Sequence, residues 1–254
     1  MKTFIAYFDY LGYKEFLLRN TEKRLKIRAG HILRDIETAL SQDKFKQVNP
    51  AMVIPDLSEC NVNCLNISDT IIFWTKDDSM ESCEELIKVC HHFNWRQNLY
   101  NFPVRGCLIY DNFEFMTGRQ TNPNGAVYSP NLMYGKGLLH AHSKSDSLNW
   151  AGTVLDTTLI EKISESTIPP FIYEYAIKYK VPYKGFYRKE YALKLTQNIS
   201  NQTQIDGFID DIYRVFEMDN KSITSSVEEK MKNTIDFIKF NYELDKKSKE
   251  NKNK

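Results

Sequence analysis

The pattern of apolar and polar positions opens on an uninterrupted apolar run, Phe4-Ile5-Ala6-Tyr7-Phe8, closed by Asp9 and followed by the bend Leu11-Gly12-Tyr13. A run of this kind predicts a buried strand that delivers one carboxylate to the mouth of a loop, the way rigid scaffolds present a ligand-binding acid. Leu25, Ala29, Ile32, Leu33, Ile36 and Leu40 then recur at three-and-four spacing, which predicts a helical segment over Tyr13–Ser41. A break falls near Asn20, where Thr21 can cap a second helix. Asp43–Ser58, with Pro50 and Pro55 and no sustained period, reads as a surface connection. Beyond it Cys60, Val62, Cys64 and Asn66 alternate with Asn61, Asn63, Leu65 and Ile67, and Ile71-Ile72-Phe73-Trp74 follows, so two strands meet in a hairpin with Asp69 at its tip.

Ser79–Tyr100 has helical periodicity with Cys83, Leu86, Ile87, Cys90 and Phe93 on one face. Pro103–Tyr110 reads as a strand that Asp111-Asn112 turns into Phe113–Thr117, a second hairpin. A turn-rich stretch over Asn122–Tyr134 precedes a short helix at Gly137–Ser145, a strand at Trp150–Leu155 and a helix at Thr157–Ile163. Pro169-Pro170 opens an irregular region, and Tyr187–Leu195 is the last strand. This order predicts an α+β fold built on one antiparallel sheet with helices on a face. Past Asn198 the chain turns polar, with helices at Ile205–Glu217 and Val227–Leu244 and a final KKSKENKNK too charged to pack. The expected organisation is therefore a main domain over 1–198, a helical extension over 199–245 and a disordered basic tail over 246–254.

Composition narrows the picture. The chain has 254 residues, enough for a sizeable core, and 34 Lys plus Arg against 33 Asp plus Glu give a formal charge of +1. That balance provides no global attraction to nucleic acid or to an anionic membrane, so an anionic ligand must be held by a local site. No apolar stretch approaches the roughly 18 residues a membrane span needs, and no charged leader with a cleavage site precedes the first strand. The reading is a soluble cytoplasmic protein with neither nucleic acid nor membrane as partner. Five cysteines form no disulfide framework, and reduced thiols are expected. Cys60, Cys64, Cys90, His91 and His92 do not make a zinc set, since a separation of four along a strand is too long to chelate one ion.

Two carboxylates carry the chemistry. Asp9 at a strand end and Asp69 at a neighbouring hairpin tip can face each other, repel, and be reconciled by a divalent cation, the arrangement used for displacement at phosphorus. Two solvated turn acids that never meet are the other possibility, and spacing alone leaves both open. FDYLGYKEF resembles the first metal-binding segment of the class III nucleotidyl cyclases, and NISDTIIF resembles the second. PVRGCLIYDNFEF is similar to their Arg-x-Gly strand, with Asp111 near a position where Gly is usual. GKGLLHAHSKSD with WAGTVLD resembles the helix and strand that follow, and KEYALKL the closing strand.

What the resemblance implies is a ferredoxin-like βααβαβ core working as a head-to-tail homodimer, with a nucleoside triphosphate between subunits. Asp9 and Asp69 would hold two Mg²⁺ or Mn²⁺ ions with the backbone carbonyl of Tyr10, and Leu11, Gly12 and Tyr13 would offer N–H groups to the triphosphate. Arg105 would lie near the phosphates or be structural. The variants SDT, PVRG and WAGTVLD resemble the compact bacterial cyclases of antiphage pyrimidine-signalling systems, which use UTP or CTP, more than they resemble receptor-type adenylyl cyclases. The usual Asn-x-x-x-Arg of the family's helix falls on Leu139 and Ser143, which can neither orient a ribose nor neutralise charge. A substitute cation would come from Lys136 or Lys144, with His140 and His142 also near in sequence. Retention of both acids favours a metal-dependent nucleotidyl cyclase; the missing pair favours a catalytically inactive nucleotide-binding or regulatory module. An apolar surface at Ile71, Phe73 and Trp74 is expected to serve a two-fold homodimer.

Overall fold

The opening apolar run is β1 (Lys2–Tyr10), and the fold is assembled around it. The structure is a computed structural model, and it describes residues 1–118, 131–164, 167–196 and 201–252, with side chains through residue 247. The turn-rich stretch thus lies largely outside the described residues, as does the boundary at 198/199. On either side of β1, β5 (Thr70–Trp74) and β6 (Val104–Asn112) pair antiparallel, which sets Asp9 opposite both Thr70 and Arg105. Further strands are β4 (Asn63–Ile67), β9 (Thr153–Leu155), β10 (Ala176–Tyr183) and β11 (Phe186–Leu193). Together they form a seven-stranded sheet in the order β10-β11-β9-β6-β1-β5-β4.

Strand alternation sorts β1 between two cores. Phe4, Ala6 and Phe8 face α2 (Glu22–Leu40) and α3 (Met80–Arg96), where α5 (Thr157–Ile163) and α6 (Pro170–Tyr175) also contribute. Ile5 and Tyr7 face α4 (Lys136–Ser147), Trp150 and the C-terminal helices α7 (Gln202–Glu217) and α8 (Ser225–Lys252). Helices therefore cover both faces, and β6 pairs parallel with β9, where the sequence predicts an antiparallel sheet covered on one. Close approach of β1 to β6 depends on Gly106, because a Cβ there would lie 2.7 Å from the Tyr7 carbonyl and 2.7 Å from the Phe8 ring.

Several local expectations are corrected. Asp43–Ser58 carries an exposed hairpin, β2 (Phe45–Asn49) with β3 (Met52–Pro55). Asp111 and Asn112 stay inside β6 because β1 begins at Lys2 and keeps them paired, so β7 (Glu114–Thr117) finds β8 (Asn131–Tyr134) in place of β6. The strand foreseen at Trp150–Leu155 is only its last three residues. Pro169-Pro170 starts α6 and leads into β10, where Pro182 is tolerated because β10 is a sheet edge. Helix α8 continues to Lys252, through most of the expected tail.

The first helix pair does break as the caps dictate. Helix α1 (Tyr13–Arg19) ends before Thr21, whose side chain accepts the Arg24 N–H and starts α2. Onto this pair folds the α7–α8 connection. Asp219, with its side chain fully buried, accepts from Arg24 Nε (2.9 Å) and Arg28 Nε (2.9 Å). Asn20 Nδ2 donates to the Asp219 carbonyl (2.6 Å), and Ser222 N–H donates to Glu15 (2.6 Å).

Candidate active site

Asp9 shares the Ile5–Tyr7 face of β1 by alternation, at the end where β5 and β6 flank it. The hairpin of β4 and β5 turns through Ser68, at φ 57°, and Asp69, and the Asp69 carbonyl accepts the Tyr10 N–H (3.0 Å). That bond ties the hairpin tip to the end of β1. The two acids stand at the same end of the sheet: burial raises the proton affinity of Asp9, Arg105 opposes the rise, and the charge of Asp69 adds a smaller rise. Tyr7, whose hydroxyl lies 3.1 Å from Thr70 Oγ1, is likewise raised by burial and, less strongly, by both acids.

Arg105 is not free at the mouth of the site. Its Nε donates to Asp9 Oδ2 (3.0 Å), its Nη2 lies 2.8 Å from the same oxygen, and the guanidinium also reaches Asp146 Oδ1 (2.7 Å) and the Asp146 carbonyl (2.7 Å). Arg105 thus bridges the end of β1 to the C-terminus of α4. Lys184, in the β10–β11 turn, closes on the other oxygen of Asp146 (3.0 Å).

The bend after Tyr10 is set by Gly12, at φ 81°, which caps α1. Leu11 N–H is committed to the Pro103 carbonyl (2.8 Å), so it does not offer itself to a ligand as the sequence suggests. Intrahelical bonding begins with Phe16 N–H to the Gly12 carbonyl (3.0 Å), so the amides ahead of it are those a helix start leaves over. The Tyr10 ring is buried against Tyr13, Phe93 and Phe102, leaving only its backbone for the site.

Helix α4 places its lysines far apart. Lys144 is buried and reaches Asp156 (2.5 Å) and Glu190 (2.7 Å), with Tyr183 donating to Glu190. Burial and the Glu190 bond both push the Tyr183 hydroxyl up. Lys144 therefore completes a structural network and does not serve the acids. Lys136 is exposed at the start of α4, beside the Asn112 end of β6, while Asp9 pairs with the Arg105 end. Leu139 and Ser143 are exposed on the same helix, His142 touches the Tyr7 ring edge-on, and His140 lies toward Asp111 and Asp156. The apolar residues Ile71, Phe73 and Trp74, expected to serve a dimer, are buried within the chain against α3 on one face and Phe113 and Phe115 on the other.

Asp146, Lys184, Lys221 and Lys230 were not singled out by the sequence. They come from α4, the β10–β11 turn, the α7–α8 connection and α8, and no motif spacing links them to Asp9.

No family model and no curated protein matches the chain. Among solved structures it is similar to the non-canonical dimeric guanylyl cyclase domain of the RhoGC fusion protein from the aquatic fungus Blastocladiella emersonii. That match has 9% identity over 76% of this chain and 93% of that one, with a TM-score of 0.50. The guanylate cyclase domain of RhGC from Catenaria anguillulae, solved with GTP, matches at 7% identity over 76% and 96% of the two chains, with a TM-score of 0.49. At such identities the likeness is one of fold, and the expected cyclase-type α+β architecture is the one found. Among the described residues no helix is long and apolar enough to cross a membrane.

Proposed function

We propose that the protein is a metal-dependent nucleotidyl cyclase that converts a nucleoside triphosphate, with UTP and CTP the first candidates, into its 3′,5′-cyclic monophosphate and pyrophosphate, an antiphage signal being the role the motif resemblance suggests. The observation that carries this reading is the bond from Tyr10 N–H to the Asp69 carbonyl (3.0 Å), which ties the hairpin tip to the end of β1 where Asp9 stands. Two carboxylates at one end of β1 offer hard oxygen donors, the type that suits Mg²⁺ or Mn²⁺, and any repulsion between them is what a cation would relieve. Asp9, Asp69 and the Tyr10 carbonyl would hold two such ions, which supply charge neutralisation at the phosphates and activation of the ribose 3′-hydroxyl.

The chain's own residues set the geometry. Arg105 fixes the Asp9 carboxylate by two contacts to Oδ2 and anchors it through Asp146 to α4, so the acid keeps one orientation. The Gly12 bend places backbone N–H groups beside it for the triphosphate. In the reaction the bond from the 3′-oxygen to the α-phosphorus forms as the bond from the α-phosphorus to the pyrophosphate oxygen breaks, the 3′-hydroxyl proton passing to solvent, and positioning supplies much of the rate. A two-fold dimer would bring the exposed stripe Lys136-Leu139-Ser143 of a second copy to this end of the sheet, with Lys136 as the substitute cation.

The test is to incubate the purified chain with Mn²⁺ and, separately, ATP, GTP, CTP and UTP, and to look for cyclic products by mass. Product from at least one, abolished in Asp9→Asn and Asp69→Asn, supports the reading. Nucleotide binding without product would replace it by the inactive binding module, which Leu139, Ser143 and the occupation of Asp9 Oδ2 by Arg105 favour.

A further inference from the structure

Directly past the strand ends that carry Asp9 and Arg105 lies a cavity of about 130 Å³, lined among others by Leu11, Gly12, Glu15, Pro103, Lys221 and Lys230. Both lysines come from the C-terminal extension, Lys221 from the α7–α8 connection and Lys230 from α8. Lys221 lies over the Gly12 bend, its Cδ 3.0 Å from where a Cβ on Gly12 would stand. Its ammonium donates to the Val215 carbonyl (3.0 Å) and sits 4.1 Å from the centroid of the Phe102 ring. Among the described residues Lys230 donates within its own helix, to Ser226 Oγ (2.7 Å) and the Ser226 carbonyl (3.2 Å).

Among the described residues neither ammonium has a carboxylate in ion-pair contact. Asp219, the acid that most favours the charge on Lys221, is held by Arg24 and Arg28, and Glu15 receives the Ser222 N–H. Burial pulls Lys221 down to about 7, with Arg28 adding to the fall against Asp219 and Glu15. Burial also lowers Lys230, helped by the like charges of Arg105 and Lys184 and opposed by Glu229 and Asp146. Two half-buried or buried cations line this cavity without an ion pair, and Glu15 on the same wall is engaged by the Ser222 N–H and Arg19, an arrangement that a bound anion relieves.

We propose that this cavity is an anion subsite for the terminal phosphates of the nucleoside triphosphate, with Lys221 and Lys230 as its counter-charges. This assignment rests on the cyclase reading for the identity of the ligand, and on the cavity and its lysines for the anion itself. Chemistry sets the class: two ammonium groups on one wall suit a phosphoryl anion. Position agrees, since Gly12 lies three residues after Asp9 and Pro103 two before Arg105. The extension thereby becomes part of the site, which supplies cationic charge that Leu139 and Ser143 do not.

The experiment titrates inorganic tripolyphosphate into the full chain by calorimetry and thermal melting, with Lys221→Met, Lys230→Met and Lys230→Arg alongside. Met keeps the packing of each stem without the charge. Wild type binds and melts higher, each Met variant loses affinity at least tenfold, and Lys230→Arg retains it; wild-type binding also tightens as pH falls through 7 and Lys221 gains its proton. Absence of tripolyphosphate binding to wild type, or equal binding by both Met variants, overturns the subsite. Should Lys221→Met fail to fold, Lys230→Met on the flank of α8 decides alone. Cyclic product formed by both Met variants at unchanged KM would sink the subsite and spare the cyclase. Tripolyphosphate binding lost in the variants, with no cyclic product from any triphosphate, would do the reverse.

Discussion

Asp219→Asn tests how the C-terminal extension is fastened to the start of the chain. Asp219 sits at φ 65°, a left-handed backbone that Asn tolerates as well as Asp, so this substitution removes charge without adding backbone strain. Its carboxylate receives Arg24 through Nε (2.9 Å) and Nη2 (2.8 Å), and Arg28 through Nε (2.9 Å). Arg24 is 45% exposed and can return to water, whereas Arg28 is 3% exposed and keeps only the side chain and carbonyl of Asn101 and a 3.4 Å contact to His31. Removing one partner of a buried pair costs about 3–5 kcal/mol, because the other charge is left uncompensated. Asn still accepts from one arginine, so a loss near the lower bound, about 3 kcal/mol, is expected, equivalent to roughly 6–12 °C in Tm for a chain of this size. Urea melts at pH 7 read the stability, and amide exchange shows whether α7 and α8 undock before the sheet opens. A loss below about 1 kcal/mol, or an equal loss when the change is made on an Arg28→Met background, would refute the assignment of the cost to a stranded Arg28.

Three further outcomes follow from named groups. Burial holds His91 down to about 3, below its unfolded value of 6.5, so the unfolded chain binds the extra proton in between and stability falls as pH drops from 6.5 toward 3. By pH 5 the loss is about 2 kcal/mol, and His91→Gln should remove that pH dependence from urea midpoints. Asp9→Asn should not destabilise the chain at pH 7: the folded-state proton affinity is raised, chiefly by burial, so ionised Asp9 costs stability above its folded pKa and the gain from Asn fades as both states protonate in acid. A clear loss of midpoint at pH 7 would contradict this. Lys144→Met strands Asp156 and Glu190, both with buried side chains, and should cost about 3–5 kcal/mol in urea melts, where an exposed lysine would cost almost nothing.

Legibility in the sequence followed locality. Asp69 at a hairpin tip, Thr21 as a cap and the helix over Thr157–Ile163 are set by residues within a few positions of one another, and each was found where expected. Strand β10 was lost behind Pro169-Pro170 and its own mixture of Lys178, Lys180 and Pro182, a pattern that only an edge position accommodates. The exposed β2–β3 hairpin has no buried face to impose a period. That Asp111 and Asn112 extend β6 depends on Lys2 and Thr3 across the sheet, and the parallel pairing of β6 with β9 on a connection whose middle carries no pattern. At the candidate site, both acids stood out because Asp9 closes an apolar run and Asp69 stands in the polar turn between two strands. The engagement of Asp9 by Arg105, the retirement of Lys144 into a buried triad and the arrival of Lys221 and Lys230 depend on pairings between distant segments that composition does not encode.

The fastening of Asp219 to Arg24 and Arg28 joins positions 195 and 191 residues apart. A ribosome adds about 5–20 residues each second, so the first helices wait roughly 10–40 s for the acid that neutralises them. During that interval Arg28 has no Asp219, the Gly12 bend has no Lys221 above it, and the nascent sheet carries its α4 face without α7 and α8. The Gly12 bend thus acquires its covering lysine only after the α7–α8 connection has emerged, so the two ends of the sheet's first strand mature at different times.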